Sequence, residues 1–258
     1  YELFLEKDEL LFDTCSQNMK DVNSLLKPVF KADVFSKVSN HFNFSRIQNQ
    51  YIRNQFEGQI DTGKMMQALI KRVQELGVII LNNTKVERYF EHSDKIEIKT
   101  THFELSALKL IFTTNGFAKQ LINEDVQPAR AQALITKPLK NLQIKGTFHL
   151  DCGYYYFRNV DNRILLGGGR NLDIKGETTT KLAETEKIQQ SLENILKYTI
   201  LPKIDFKIEQ RWSGIMGVGS QKKPIVKQLS NHVYCGVRMG GMGVAIGSLI
   251  GKEVSEFF

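Results

Sequence analysis

The sequence predicts an α/β fold with an α+β part, in which a mixed, mainly antiparallel sheet is flanked by helices. Three observations carry the prediction. A strand-like run, His232 to Val237, feeds a glycine-dense turn and then a helical pattern at the C-terminus. A helix followed by short apolar strands is written between Phe56 and Gly116, the order of a sheet with helices laid against it. From Pro128 to Trp212, short alternating or aromatic runs are divided by Asn, Asp and Gly turns, as in antiparallel strands.

Composition narrows the class. The 258 residues suffice for one large domain or two modest ones. The net charge of +7 is spread along the chain, and no Lys/Arg block is interleaved with aromatics, so nucleic acid is not an expected partner. An acidic small molecule or a diphosphate suits the same excess. Cys15, Cys152 and Cys235 are far apart and lack metal-ligand spacing, so no metal site is expected and a reducing cytoplasm fits best. No apolar run approaches the roughly 20 residues needed to cross a bilayer. The start lacks both a signal peptide's apolar centre and an initiator methionine, which leaves open a longer natural polypeptide.

Four segments follow in order. Residues 1–55 read as helices and loops, with helical spacing around Val22, Leu25 and Leu26 and a stop at Pro28. Residues 56–127 read as an incomplete dinucleotide-binding layer. In it Asp61 or Thr62 caps a helix carrying Met65, Met66, Leu69, Ile70, Val73 and Leu76, and Gly77 stops it. Val78 to Leu81 then reads as a buried strand, Lys85 to Phe90 and Ile96 to Leu105 as a ribbon, and Leu108 to Thr114 as a strand ending on Asn115-Gly116. Residues 128–212 read as an antiparallel sheet interrupted by a helix from about Thr180 to Tyr198, ended by Pro202. Its aromatic run is split by the strand period, Tyr154 and Tyr156 to one face and Tyr155 and Phe157 to the other, so only one pair can line a pocket. Residues 213–258 return to the first layer and end in a helix with Val244, Leu249, Ile250 and Val254 on its apolar side.

The turn opening that last helix is the chief candidate site. Gly240, Gly241 and Gly243 permit positive φ and keep side chains away from the first N–H groups, which suits a phosphate or a ring carbonyl that gains electron density on reduction. The same glycines also suit a plain tight corner. Gly241-Met242-Gly243 with Gly247 imitates a dinucleotide fingerprint, but no second strand follows it. Gly214 to Ser220 fails as a phosphate loop because Ser220 stands where lysine is required.

From Phe56 onward the chain resembles the FAD-dependent amine and amino-acid oxidoreductases of the D-amino-acid oxidase and glycine oxidase family. The resemblance rests on an ordered set: Gly58-Gln59-Ile60-Asp61, Thr84-Lys85-Val86-Glu87, Phe112-Thr113-Thr114-Asn115-Gly116, Pro128-Ala129-Arg130-Ala131-Gln132, Gly153 to Arg158 with Leu166 to Arg170, Trp212-Ser213-Gly214, and Gly236 to Gly243. It implies FAD as cofactor, with Val86 at the adenine, Asn115 and Gly116 near the diphosphate and ribose, and Gly214, Gly240, Gly241, Met242, Gly243 and Val244 toward the flavin. It also implies hydride transfer from the carbon beside an amine, so that no strict catalytic acid or base is needed. The expected positioning residues are Arg238, Tyr154 or Tyr156, and Trp212, with Met216 shaping the pocket.

Two departures from the family pattern stand out. The GxGxxG turn expected at the N-terminus is absent, so the chain is a fragment, or the protein has lost the unit and is a non-catalytic remnant that acts by binding, or another chain supplies it; self-association is a further expected partner mode. Met216 stands where glycine oxidases carry a carboxylate-holding arginine, and Arg238 is expected to take that role. Lys222 and Lys223 suit either the steering of an acidic substrate or plain solvation, while the turn acids Asp151, Asp161 and Asp173 are assigned no chemistry and His149 and His232 read as structural.

Overall fold

Alternation of apolar and polar residues builds the larger sheet. The computed structural model describes residues 1–258. The chain divides into one unit of Tyr1–Gln59, Ala131–Glu177 and Leu182–Gly214, and a second of Ile60–Arg130, Thr178–Lys181 and Ile215–Phe258.

The first unit is built on an eight-stranded sheet. Its strands are β1 (Glu2–Leu3), β2 (Phe35–Ser39), β3 (Gln50–Asn54), β8 (Gln127–Thr136), β9 (Thr147–Leu150), β10 (Tyr155–Val160), β11 (Arg163–Gly168) and β12 (Ile208–Val218), in the order β12-β8-β11-β10-β9-β1-β3-β2. The pair β1 and β9 is parallel, and β10 pairs antiparallel with β9 and β11. Register brings Phe157 opposite Phe148 and Leu166, and the rings of Phe148 and Phe157 stack at 4.6 Å. This face, with Leu134, Leu150, Tyr155 and Ile164, buries against Ile188, Leu192 and Leu196 of the helical stretch that opens with α3 (Glu186–Ile195). Alternate residues turn to the other face.

The N-terminal stretch departs from the reading as helices and loops. Its helix α1 (Glu9–Phe30) runs past Pro28, the expected stop, and closes at Lys31, whose φ of 58° is left-handed. Pro28 sits in the last turn, where the missing N–H costs a single helical bond. The rest of the stretch supplies β1, β2 and β3 to the sheet. The helix expected from Thr180 starts only at Glu186, and Leu182, before it, is exposed. A π-helical turn, Leu196–Ile200, then carries the chain to Pro202.

The second unit holds two three-stranded sheets. One is the antiparallel ribbon β4 (Val86–Glu91), β5 (Ile96–Thr100) and β6 (Glu104–Ala107). The other runs β13-β14-β7, from β13 (Ile225–Gln228), β14 (Val233–Val237) and β7 (Leu110–Phe112), with β14 and β7 parallel. Phe112, Val233, Cys235 and Val237 bury with Ile96 and Ile98. The final helix α4 (Gly243–Ser255) lies close on β14, because a Cβ on Gly236 would come within 2.8 Å of Val254 Cγ2. Ile250 and Val254 are buried as expected, whereas Val244 and Leu249 of the same predicted apolar side are exposed.

Helix α2 (Thr62–Glu75) forms as its capping signal predicts, the Asp61 carboxylate accepting from the Lys64 N–H at 3.0 Å. Gly77 terminates it at a φ of 83°. The following Val78 to Leu81 is not a buried strand. It joins no ladder, all four side chains are exposed, and Ile79 is 82% accessible. An apolar run marks a strand to be buried, but burial needs a neighbour, and no strand of these residues lies against it. All three cysteines are free, Cys152 exposed and Cys235 buried.

Candidate functional site

In the second unit, the turn between β14 and α4 is held in left-handed backbone at Arg238, Gly240 and Gly241, with φ of 63°, 58° and 87°. Glycine meets this at little cost, and an arginine does not. Four neighbouring groups fix the turn. The Met239 N–H donates to Asn115 Oδ1 at 3.0 Å, the Gly240 N–H donates to the Gly217 carbonyl at 2.9 Å, and the Arg238 side chain is tied to Asp125 and to Lys223. Asn115, itself left-handed at a φ of 45°, leads into Gly116, where a Cβ would lie 2.5 Å from the Met216 carbonyl oxygen. A Cβ on Gly217 would collide with the Asn115 side chain. Thus Asn115, Gly116, Met216, Arg238, Gly240 and Gly241 of the sequence-derived set meet in one knot of backbone. Gly217 and Gly219 of the run 214–219 serve close chain crossing, whereas a Cβ on Gly214 would meet open space.

This knot leaves donors free. The N–H groups of Gly241, Gly243 and Val244 find no acceptor within the chain, and Gly240 to Met242 are exposed. A Cβ on Gly240 would meet open space, and one on Gly241 would approach Met216 Sδ only to 3.5 Å. Unsatisfied amides at the positive end of a 13-residue helix suit a flat acceptor with an electron-rich edge. Flavin meets that description.

Arg238 is not the open guanidinium that holding a substrate carboxylate calls for. It is 6% accessible, its Nε donates to the Lys223 carbonyl at 2.8 Å, and its Nη1 donates to Asp125 O and Oδ2 at 3.0 and 2.6 Å. The Asp125 carboxylate also accepts from the Ser220 hydroxyl at 2.6 Å and from its N–H at 3.0 Å. These bonds, Ser220 first and then Arg238, hold its pKa below the usual carboxylate range. Sequence reading missed Asp125, which sits in no motif; the signal available was that an arginine expected beside an apolar strand needs a counter-charge.

Val86, the expected adenine contact, opens β4 at a bulge, since the register with β5 shifts between Val86 and Arg88. A shallow cavity of about 430 Å³ is lined by its sequence neighbours Thr84 and Lys85 with Asn83, Thr101 and His102.

The remaining predicted residues lie in the first unit. Tyr154 and Tyr156 are 44% and 37% accessible, whereas Tyr155 and Phe157 are buried, so the run divides between two faces as the strand period predicts. Tyr156 stands over Gly167, where a Cβ would come 2.6 Å from its hydroxyl. Desolvation raises the Tyr156 pKa, so the phenol stays a neutral donor. Register puts His149 and Gly167 across from Tyr156, and Arg158 two residues along on the same face. Donation of a hydrogen bond from the His149 ring to the Glu2 carboxylate raises the pKa of His149. Trp212 is half-buried in β12, and Gly214 is exposed on the same strand. Arg158 was the positive charge that sequence reading passed over, although it closes the quoted run Gly153 to Arg158.

Comparison with known proteins places the fold. The chain is similar to the glycine oxidase of Geobacillus kaustophilus at a TM-score of 0.81 and 13% identity, over 99% of this chain and 69% of that one. It is similar to the L-proline dehydrogenase of P. horikoshii at a TM-score of 0.77 and 18% identity, over 99% of this chain and 71% of the other. The iminodiacetate oxidase of Chelativorans sp. BNC1 aligns at a TM-score of 0.74 and 17% identity, over 98% and 70% of the two chains. At such identities the likeness is one of fold. In sequence, 204 residues are 24% identical to the probable oxidoreductase OrdL of Haemophilus influenzae, a match over 73% of this chain and 44% of that protein. The chain therefore spans less than half the length of that relative. The profile of the FAD dependent oxidoreductases, DAO, matches residues 44–257, which take in both the glycine turn and the tyrosine-bearing hairpin, and the chain belongs to that family.

Proposed function

We propose that these residues form the flavin-ring and substrate parts of an FAD-dependent oxidoreductase that oxidises a C–N bond in an amine or amino-acid-like substrate by hydride transfer. The observation that carries this reading is the set of open amides at Gly241, Gly243 and Val244. Bound FAD supplies the two-electron acceptor. The chain's amides stabilise negative charge on its pyrimidine end, and glycine in front of them admits the ring without a clash. In the first unit Tyr156 and Tyr154 offer phenol donors for orienting substrate and Trp212 an apolar surface; in the second unit Met216 flanks the glycine turn on the flavin side. Arg158, beside Tyr156 on the open sheet face, takes the carboxylate-holding role first expected of Arg238.

A direct test is the absorption spectrum of the protein supplied with FAD, followed by anaerobic reduction with a panel of amines and amino acids. Flavin bands that bleach with such a substrate support the reading; a protein that takes up no FAD sinks it in favour of the non-catalytic alternative. Arg158→Met is expected to raise KM about tenfold or more for amino acids and to leave the matching decarboxylated amines nearly unchanged. Equal loss on both classes would remove Arg158 from the substrate site.

The diphosphate end is read as supplied by polypeptide outside these residues, in keeping with the absent GxGxxG turn. Three features of the second unit support this. Strand β7 is the edge of a sheet whose pairing there is parallel, and parallel edges favour burial. Val78 to Leu81 is an exposed apolar run. Met66, Leu69 and Ile70 of α2 are likewise exposed. A strand followed by an apolar-faced helix has the shape and chemistry to cover them. Co-expression with a GxGxxG-bearing strand–turn–helix polypeptide should raise FAD uptake and slow hydrogen exchange in residues 62–81; no change in either would reject the pairing.

A further inference from the structure

We propose that Asp125 and Arg238 form a positioning pair that locks the glycine turn and so sets the aim of the amides opening α4; the inference rests on the flavin reading of that turn. Arg238 has two unusual properties together. Its backbone is left-handed, which a non-glycine residue adopts only when its surroundings enforce it, and its side chain is buried. The side chain is what does the enforcing. With Nε on the Lys223 carbonyl and Nη1 on both oxygen types of Asp125, the guanidinium is held in its plane by two separate segments of chain. Asp125 extends the tie by accepting from the N–H and hydroxyl of Ser220. Gly219 completes the fit, because a Cβ there would strike the Asp125 carbonyl oxygen and lie 2.6 Å from Arg238 Cδ.

The consequence for the turn is direct. Residue 238 immediately precedes Met239 and Gly240, whose N–H groups are held by Asn115 and Gly217. Fixing Arg238 from its side chain and the next two residues from their backbones leaves the stretch from 238 to 240 little freedom. The amides of Gly241, Gly243 and Val244, bonded to nothing in the chain, then hold a direction set from behind them. Preorganised donors of this kind lose little on meeting a developing charge. A buried arginine deprived of its carboxylate would instead seek water and take the turn with it.

Hydrogen–deuterium exchange tests the pair without requiring cofactor. In Asp125→Asn and Arg238→Lys, exchange across residues 236–247 should accelerate at least tenfold, while residues 147–168 of the other unit exchange as in the parent. Ser220→Ala, which removes one hydroxyl tie and keeps both charges, should give a smaller acceleration in the same peptides and decides the matter if the charge variants do not fold. In protein loaded with FAD, sulfite addition to the flavin, which reports stabilisation of negative charge on the ring, should weaken tenfold or more in Asp125→Asn. Unchanged exchange at 236–247, or acceleration spread equally over both units, overturns the proposal, as does faster exchange with unaltered sulfite affinity. Failure of every variant and of the parent to bind FAD counts against the flavin reading alone, since the exchange result still judges the pair.

Discussion

Gly116 shows how much a single hydrogen can decide. Its missing Cβ lets the Met216 carbonyl approach, so Gly116→Ala is expected to destabilise the second unit by about 1–3 kcal/mol, read by chemical denaturation, as overpacking against backbone usually does. Asp125 gives a prediction with a definite pH sign. Its pKa is lowered on folding, so its contribution is present above the ordinary value of 3.8 and fades as pH falls through the folded value. The Tm of Asp125→Asn should therefore lie below that of the parent at pH 7, and the gap should close toward pH 3. At this scale the sequence was legible where a rule of parity or conformation applied: Tyr154 and Tyr156 on one face and Tyr155 and Phe157 on the other, Gly240 and Gly241 at positive φ, though Gly243 is already helical. It was silent on Asp125, because a carboxylate 113 positions from its arginine leaves no local pattern.

Helices and strands were legible where the signal was self-contained. The cap at Asp61 and the stop at Gly77 bracket α2 as expected, and the hairpin of β10 and β11 follows its turn residues Asp161 and Asn162, both left-handed. Reading failed where an element depends on distant pairing. The strands β1 to β3 are short or charged and gain their place from the rest of the sheet, while Val78 to Leu81 has the composition of a strand without a partner to make it one. Phe148 and Phe157 stack within the buried core of the larger sheet. Phe157→Ala should cost about 3–5 kcal/mol in the unfolding of the first unit, measured by far-ultraviolet circular dichroism in denaturant.

Taken whole, the chain carries more exposed apolar surface than scattered single residues explain, and that surface is concentrated around α2 and the run that follows it. Self-association through this region is the expected behaviour in isolation. Ile79→Lys should reduce light scattering at concentrations where the parent associates, with the circular dichroism spectrum unchanged, since the side chain is already 82% accessible. No helix is long and apolar enough to cross a membrane, so this apolar surface is not a spanning segment.

The cysteines give the two units separate clocks. Cys152 of the first unit is open to reagent at once, whereas Cys235 lies at the centre of β14, with burial pushing its thiol pKa up. A thiol-specific alkylating agent should tag residue 152 within the mixing time and residue 235 only as often as the second unit opens. Counting tagged molecules by mass then times the breathing of the second unit directly, and any ligand that grips that unit announces itself by stretching the interval.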